Sequence, residues 1–344
     1  MASRVTRRIA LASRPKGAPT PENFRLEEAA LAEPGEGQVE VRNLFLSLDP
    51  YMRGRMSDAP SYAEPFKVGE ALGGATVGRV ETARHPNYSA GDLVLGFGGW
   101  QERAVLPAKE LRKLPADLPN PSTALGVLGM PGFTGWWGLT KIGQPKAGET
   151  VVVAAASGAV GSVVGQVAKQ RGANVVGIAG GAEKCRYVTK TLGFDACIDR
   201  RAGDFAEQLK SAVPKGIDVY FENVGGAVFD AVLALLNVHA RVPICGLISG
   251  YNANGLPEGP DRLSLLMATL LKKRIRMEGF IISDHYGPDY SEFLAEMEPW
   301  VRGGKIQFRE DVVDGLENAP KAFMGLLEGE NFGKLVVRLG QDKA

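Results

Sequence analysis

The sequence is poor in the residues that build metal centres and covalent frameworks. It holds three cysteines, Cys185, Cys197 and Cys245, and three histidines, His85, His239 and His285. The cysteines form no C-x-x-C pair, and no H-E-x-x-H occurs. Zinc needs three or four suitably placed thiol, imidazole or carboxylate ligands, so no metal is expected. A sparse, odd set of thiols argues against a disulfide framework and points to a reducing compartment, the cytoplasm. The cysteines read as small core residues. Excess charge is lacking too: 40 basic residues against 39 acidic leave a net charge of +1. That gives no reason to expect nucleic acid or a membrane surface as partner. No apolar run approaches the roughly 20 residues that cross a bilayer. The opening "MASRVTRRIALASRPKG" is basic, but its apolar run is only Ile9 to Ala12, too short for a signal-peptide core.

What is present suits a sizeable core. The chain has 344 residues, 44% of them hydrophobic, and that length suggests about two domains. Glycines and prolines are scattered between apolar runs, as turns and tight crossings would place them. Residues 1 to about 125 carry short strand-like runs, "QVEVRNLFLSLD", "GGATVGRVETA", "GDLVLGFGGWQERAVLP" and "LRKLP". This is the texture of a small, partly open β-barrel. From about residue 126 strands and helices alternate with short links, which predicts a parallel sheet covered by helices. The strands are expected in "VVVAAA", "NVVGIAG", "ACI", "DVYFENV", "ARVPICG" and "RIRMEGFII". Pro243 in "ARVPICG" counts against a central strand, because proline brings no N–H to a ladder.

The stretch "VVVAAASGAVGSVVGQVAK" places a glycine turn between a strand and a helix. A dinucleotide fingerprint reads G-x-G-x-x-G there, and free amides at the helix start attract phosphate. Here the register is Ala156, Gly158, Gly161, so the first glycine is an alanine. Ser157, Gly158, Ala159, Val160 and Gly161 are the candidate phosphate turn. The plainer alternative is a sharp crossing that only needs small residues. The next strand selects the nucleotide. A carboxylate about 20 residues past the glycines would take a ribose 2′-OH. Instead the strand ends in Ala179, Gly180 and Gly181, with Lys184 following and Arg200 after the third strand. Small residues leave room for a 2′-phosphate, and cations pair with it. NADP(H) is the expected cofactor. Either cation has a second reading as a solvated surface residue.

These blocks, in order over nearly the whole chain, carry a resemblance: "LSLDPYMRGRM", "AASGAVGSVVGQVAK", "GGAEKCRYVTKTLGFD", "GIDVYFENVGG", "CGLISGYN" and "ENFGKLVV". The sequence resembles the zinc-independent medium-chain dehydrogenases/reductases. It is most similar to their NADPH-dependent alkenal and prostaglandin reductase branch and, within it, to the bacterial curcumin-reductase-like group. The resemblance implies an α/β architecture: a Rossmann-type parallel sheet domain plus a GroES-like barrel. Residues 1–128 would form the first part of the catalytic domain, 129–309 the NADP(H)-binding domain, and 310–344 a segment returning to the catalytic domain. It also implies a common homodimer. Zinc-dependent relatives carry Gly-His-Glu where this chain reads "VGEALGG", with no histidine between Gly69 and Glu70.

Roles carry over from the resemblance unevenly. Gly158 to Gly161 match the pyrophosphate turn and Lys184 the 2′-phosphate lysine. Arg200 stands where relatives often have tyrosine. Asn223 resembles a residue near the ribose, while Tyr251 and Asn331 resemble residues around the nicotinamide and phosphates. Tyr51 resembles a wall of the substrate cleft. The implied reaction is hydride delivery from NADPH to the β carbon of an α,β-unsaturated aldehyde or ketone. The enolate would be stabilised by a ribose hydroxyl and a tyrosine, Tyr251 first and Tyr51 second. A small hydrophobic enone or alkenal would want an apolar cleft, for which Trp100, Trp136, Trp137, Tyr62 and Phe280 are available. Arg53 and Arg55 read as structural or surface residues. The rival expectations are a quinone reductase and a non-enzymatic NADPH-binding structural or sensor protein; a zinc alcohol dehydrogenase is a distant third.

Overall fold

The computed structural model describes residues 4–116, 118–255 and 261–340. The ends of the expected first and third segments, residues 1–3 and 341–344, lie outside them. The first lobe begins with a hairpin, β1 (Val5–Leu11) and β2 (Phe24–Ala30), followed by β3 (Gln38–Ser47), a short helix α1 (Tyr51–Arg55), β4 (Thr76–Ala83), β5 (Leu93–Gly96), β6 (Arg103–Pro107) and β7 (Arg112–Lys113). Helix α2 (Met130–Trp137) leads into the second lobe.

There the predicted alternation runs through β8 (Thr150–Ala154), α3 (Gly161–Gln170), β9 (Asn174–Ala179), α4 (Ala182–Lys190), β10 (Ala196–Asp199), α5 (Phe205–Ala212), β11 (Ile217–Phe221), α6 (Gly226–Leu233) and β12 (Leu236–Ile244). Helix α7 (Leu263–Lys273), β13 (Arg276–Gly279) and α8 (Pro288–Arg302) complete that lobe. The chain then runs through β14 (Glu310–Asp314), α9 (Ala319–Glu328) and β15 (Lys334–Arg338).

The second lobe is a six-stranded sheet in the order β10-β9-β8-β11-β12-β13, parallel throughout. Its central strand explains its own composition. Val151 and Val153 pack into the core on one face, Val152 and Ala154 into the core on the other. A strand buried on both sides shows no polar alternation, and each such valine contributes about 1.5–3 kcal/mol. Since β9 flanks β8 on one side and β11 on the other, the strand order reverses at β8. A ligand crevice belongs outside the carboxyl ends of strands at such a reversal.

The first lobe is a seven-stranded sheet, β14-β15-β3-β4-β5-β7, with β6 also on β3. Along one edge β3 pairs first with β6, through Gln38 to Arg42, and then with β15, through Phe45 to Ser47. This is the partly open barrel. Its core includes Trp100 and Phe323, whose rings meet edge-on at 5.6 Å. Phe323 comes from α9, so the tail contributes both a strand and a packed helix to this lobe.

Several details depart from expectation. The β1–β2 hairpin, α2 and α8 are additions. Strand β12 does contain Pro243 although β11 and β13 flank it. The β11–β12 ladder shifts register after Ile217, pairs Val219 with Arg241, and resumes only as an isolated bridge between Glu222 and Ile244. The proline falls in that gap, and its carbonyl still accepts Glu222 N–H at 3.0 Å. His239 lies inside the strand rather than before it, at φ 64°. Trp100, Trp136, Trp137 and Phe280 are core residues, so of the proposed cleft aromatics only Tyr62 is exposed, at 60%. The three cysteines are only partly buried.

Candidate active site

The crevice at the reversal point is lined from one end by the glycine turn. After Ala154 the chain doubles back through Ala155, which adopts φ 52°. The left-handed position therefore falls one residue before the alanine that replaces the first glycine. Gly158 N–H donates to Ala155 O at 2.9 Å, and α3 starts at Gly161. A Cβ on Gly161 would sit 2.4 Å from Ala155 O, so this position must be glycine for helix and strand to approach. A Cβ on Gly158 would meet only Ala155 O, at 3.2 Å, within 4 Å. That face of the turn is therefore open to a bound group, as a phosphate cradle requires. Ser157 is buried beneath it. Gly333 of the tail closes the other side in a bridge with Gly158. Asn331 orders that tail loop by donating to Gly333 O at 2.8 Å.

The end of β9 is a cationic corner. A Cβ on Gly180 would lie 3.3 Å from Arg201 Nε and 3.4 Å from Arg200 Nε. Lys184 reaches the same corner, with its ammonium donating to Gly329 O at 2.7 Å. Burial, then Arg201 and Arg200, lowers the Lys184 pKa. Asp311 and Glu183 lie within electrostatic reach of Lys184, while Asp199 at the end of β10 is engaged: its Oδ1 accepts Gly181 N–H at 2.8 Å and Arg201 N–H at 2.9 Å. Those two backbone bonds are the main cause of its lowered pKa. None of the three cations forms an ion pair among the described residues. Arg201 went unclaimed in the sequence reading, although the doubled arginine in "IDRR" was a signal.

The other end of the crevice is neutral and tyrosine-rich. Asn223 follows β11 and donates to Ala154 O at 2.8 Å, tying that strand end to the glycine turn. Glu222 beside it is 1% exposed and accepts Val224 and Gly225 N–H at 2.6 and 2.9 Å. Burial raises its carboxyl pKa. Main-chain bonds from Ile248 to Asn223 O and from Ser249 to Val224 O tie this turn to the loop that carries Tyr251. The Tyr251 hydroxyl accepts Leu247 N–H at 3.4 Å. Burial raises the Tyr251 phenol, with Cys245 and Tyr62 within electrostatic reach.

From the first lobe, the Tyr51 phenol is pushed well up by burial and then by Asp49, with Tyr62 and Tyr286 also in range. Tyr51 thus lies within electrostatic reach of Tyr62 and Tyr286, and Tyr251 within reach of Tyr62. Tyr286 had no sequence signal, and Tyr62 had only its aromatic character. Arg55 is half-buried, stacked 4.4 Å over the Phe66 ring with its Nε on Glu64 O. Arg53 is buried, donating to Gly17 O at 3.1 and 2.6 Å. Among the described residues no three His, Cys, Asp or Glu side chains come together as a metal-ligand set.

Comparison with known proteins places this geometry. Residues 7–114 match an N-terminal domain of oxidoreductases, and residues 159–298 match a domain described as zinc-binding dehydrogenase. The chain is 62% identical to the NADPH-dependent curcumin reductase of Escherichia coli (strain K12), over 98% of this chain and 97% of the relative. It is 44% identical to a 2-alkenal reductase (NADP(+)-dependent) of Nicotiana tabacum, over 90% and 89% of the two chains. Among solved structures, CurA of Vibrio vulnificus in complex with NADPH superposes with a TM-score of 0.95 at 59% identity, covering 97% of this chain and 99% of that one. A shared sequence over almost the full length, the same two lobes and a glycine turn beside a cationic corner lead to one assignment: the chain belongs to the medium-chain dehydrogenase/reductase family, in its curcumin and alkenal reductase branch.

Proposed function

We propose that this protein reduces carbon–carbon double bonds conjugated to an aldehyde or ketone, using NADPH and no zinc. The observation that carries the reading is the corner made by Lys184, Arg200 and Arg201 against Gly180, where Asp199 is turned to backbone amides. The open face of Gly158 and that corner suit the two phosphate regions of NADPH. Ser157, Gly158, Ala159, Val160 and Gly161 would hold the pyrophosphate, and Lys184, Arg200 and Arg201 the 2′-phosphate. Asn223, Tyr251 and Asn331 would border the ribose, nicotinamide and phosphates. When bound, NADPH supplies the hydride that the β carbon of the enone accepts.

The chain's own residues handle the charge that then develops on the carbonyl oxygen. A neutral phenol is a hydrogen-bond donor to an oxyanion only while it keeps its proton. Burial favours that neutral form in both Tyr251 and Tyr51. Tyr251 is the first candidate donor to the oxygen and Tyr51 the second; water or one of them protonates the α carbon. A bond made by a partly buried phenol is stronger than one made in open water.

The substrate class is a small hydrophobic enone or alkenal. The domain limits fit residues 1–128, 129–309 and 310–344, supported by the pairing of β14 and β15 with the first sheet. A homodimer is supported by the exposed Leu263, Leu265, Met267 and Leu271 of α7, close to the edge strand β13. A cytoplasmic location suits three free thiols. Cofactor carrying deuterium at C4 tests the reaction. With an enone, label on the product's β carbon is expected. Label on the carbonyl carbon, or turnover only of quinones, overturns the reading.

A further inference from the structure

Lys334 opens β15 and is 4% exposed. Its ammonium donates to Leu48 O at 2.8 Å and to Asp49 Oδ1 at 2.9 Å. Asp49 is 5% exposed, and its second oxygen accepts the Ser47 hydroxyl. Taking two ions out of water is costly, and apolar side chains of similar volume often hold a core as well. Stability alone therefore does not account for this pair. Its address suggests what does.

One residue before Lys334 stands Gly333, which bridges Gly158 of the glycine turn, and Asn331 orders that same loop. Two residues past Asp49 stands Tyr51, and the Asp49 carbonyl accepts Met52 N–H at 3.1 Å to start α1. The Lys334 stem also lies against Gly126, where a Cβ would come 3.2 Å from Lys334 Cγ. Gly126 belongs to the segment that leads from the first sheet into α2. One residue thus joins three segments: its backbone opens the strand after the nucleotide-side loop, its ammonium holds the turn that leads to Tyr51, and its stem lies against the crossing between lobes. An apolar pair would fill this space without fixing direction. Two hydrogen bonds and a charge contact fix it.

We propose that the buried Lys334–Asp49 pair is a positioning device that sets Tyr51 relative to the glycine turn, so that nucleotide at the turn improves the fit of substrate in the cleft. This rests on the reductase reading above. Neither residue touches substrate or cofactor; both act through the segments they hold.

The test uses the full chain with NADP+, which permits binding without turnover, and cinnamaldehyde as the enal probe. Nucleotide affinity, cinnamaldehyde affinity with and without saturating NADP+, and melting temperature are measured together. In the wild type, NADP+ is expected to tighten cinnamaldehyde binding about ten-fold, within the usual range of coupling between sites. Lys334→Met should reduce that to less than about two-fold while shifting the NADP+ Kd by no more than about two-fold. Ser47→Ala, which removes one hydrogen bond to Asp49 and keeps the ion pair, should give an intermediate loss. The double variant Lys334→Met/Asp49→Leu should recover melting temperature without recovering the tightening.

Tightening retained in Lys334→Met overturns the proposal. So does tightening that returns with melting temperature in the double variant, which marks the pair as structural only, and so does a wild type without tightening. A wild type that binds neither compound sinks the reductase reading as well, whereas retained coupling in the variants of a working enzyme sinks this inference alone.

Discussion

The two ends of the crevice are built on opposite principles. At the β9 end, Lys184, Arg200 and Arg201 crowd together without an ion pair among the described residues, although Asp311 and Glu183 lie within electrostatic reach of Lys184, and Asp199 is turned to backbone amides. At the other end stand Tyr51, Tyr251, Tyr62 and Tyr286, whose phenol pKa values partial burial raises, although Tyr62 and Tyr286 stay 60% and 48% exposed. The first end stores repulsion that an anion relieves. The second stores unspent hydrogen-bond donors that an oxyanion uses. On the proposed function, the difference teaches how one site would separate recognition from chemistry: the cations would choose which nucleotide enters, while the phenols would act on charge that appears only during the reaction.

The sharpest way to break this comparison is to strip the cationic end. Lys184→Ala/Arg200→Ala/Arg201→Ala should raise the NADPH KM about a thousand-fold, at roughly 1.5–3 kcal/mol per charge-assisted bond with partial overlap. The NADH KM should move by less than about two-fold, because NADH has no 2′-phosphate for these groups. Equal losses for both nucleotides would mean that the corner does not read the phosphate. Lys184→Ala alone should show the same bias at about ten-fold.

The neutral end should respond in the complementary way. Tyr251→Phe is expected to lower kcat about thirty-fold with NADPH KM unchanged, somewhat less than the loss of a full oxyanion donor. Tyr51→Phe should cost about three-fold to ten-fold. Steady-state kinetics on one enal separates these effects, and a larger loss in Tyr51→Phe would reverse their order.

The smallest effect, and the one that separates the ends without mutation, is alkaline pH. Lys184 has its pKa lowered by burial and by Arg201 and Arg200, so its positive charge is lost at lower pH than in an exposed lysine, near 10.4. The Tyr251 pKa is raised by burial, so its proton is retained past the ordinary tyrosine value of about 10. As the pH rises toward the ordinary tyrosine value of about 10, the NADPH KM should therefore rise by a few-fold while kcat stays flat. A kcat that falls first would place the titrating group in the cleft.

Much of the nucleotide end was legible because it is local. The apolar "VVVAAA" run, the small residues after it and the missing carboxylate past "NVVGIA" all lie within one strand–helix–strand unit. The cleft was harder. Tyr51 and Tyr251 are far apart in sequence, and no spacing rule brings them together; only the family resemblance singled them out. Tyr62 and Tyr286 had not even that support. Trp100 and Trp136 misled for the converse reason: large aromatics suit a cleft or a core equally by type, and the fold chose the core. The first hairpin stayed hidden because its strands pair through charges as well as apolar contacts, Arg8 facing Glu27. Pro243 gave a correct warning about the ladder, but the strand accommodates it in a register gap.

The pairing of β15 with β3 bears on how the chain is made. β3 leaves the ribosome early, yet the neighbour for Phe45, Leu46 and Ser47 lies at residues 336–338. Until synthesis is nearly finished, that edge has open backbone groups and the first lobe lacks Phe323 in its core. The parallel-sheet lobe has all six of its strands within residues 150–279, so its whole sheet is present before the tail is made. A chain cut short before residue 334 would thus be born with a finished nucleotide lobe and an unsealed, aggregation-prone partner.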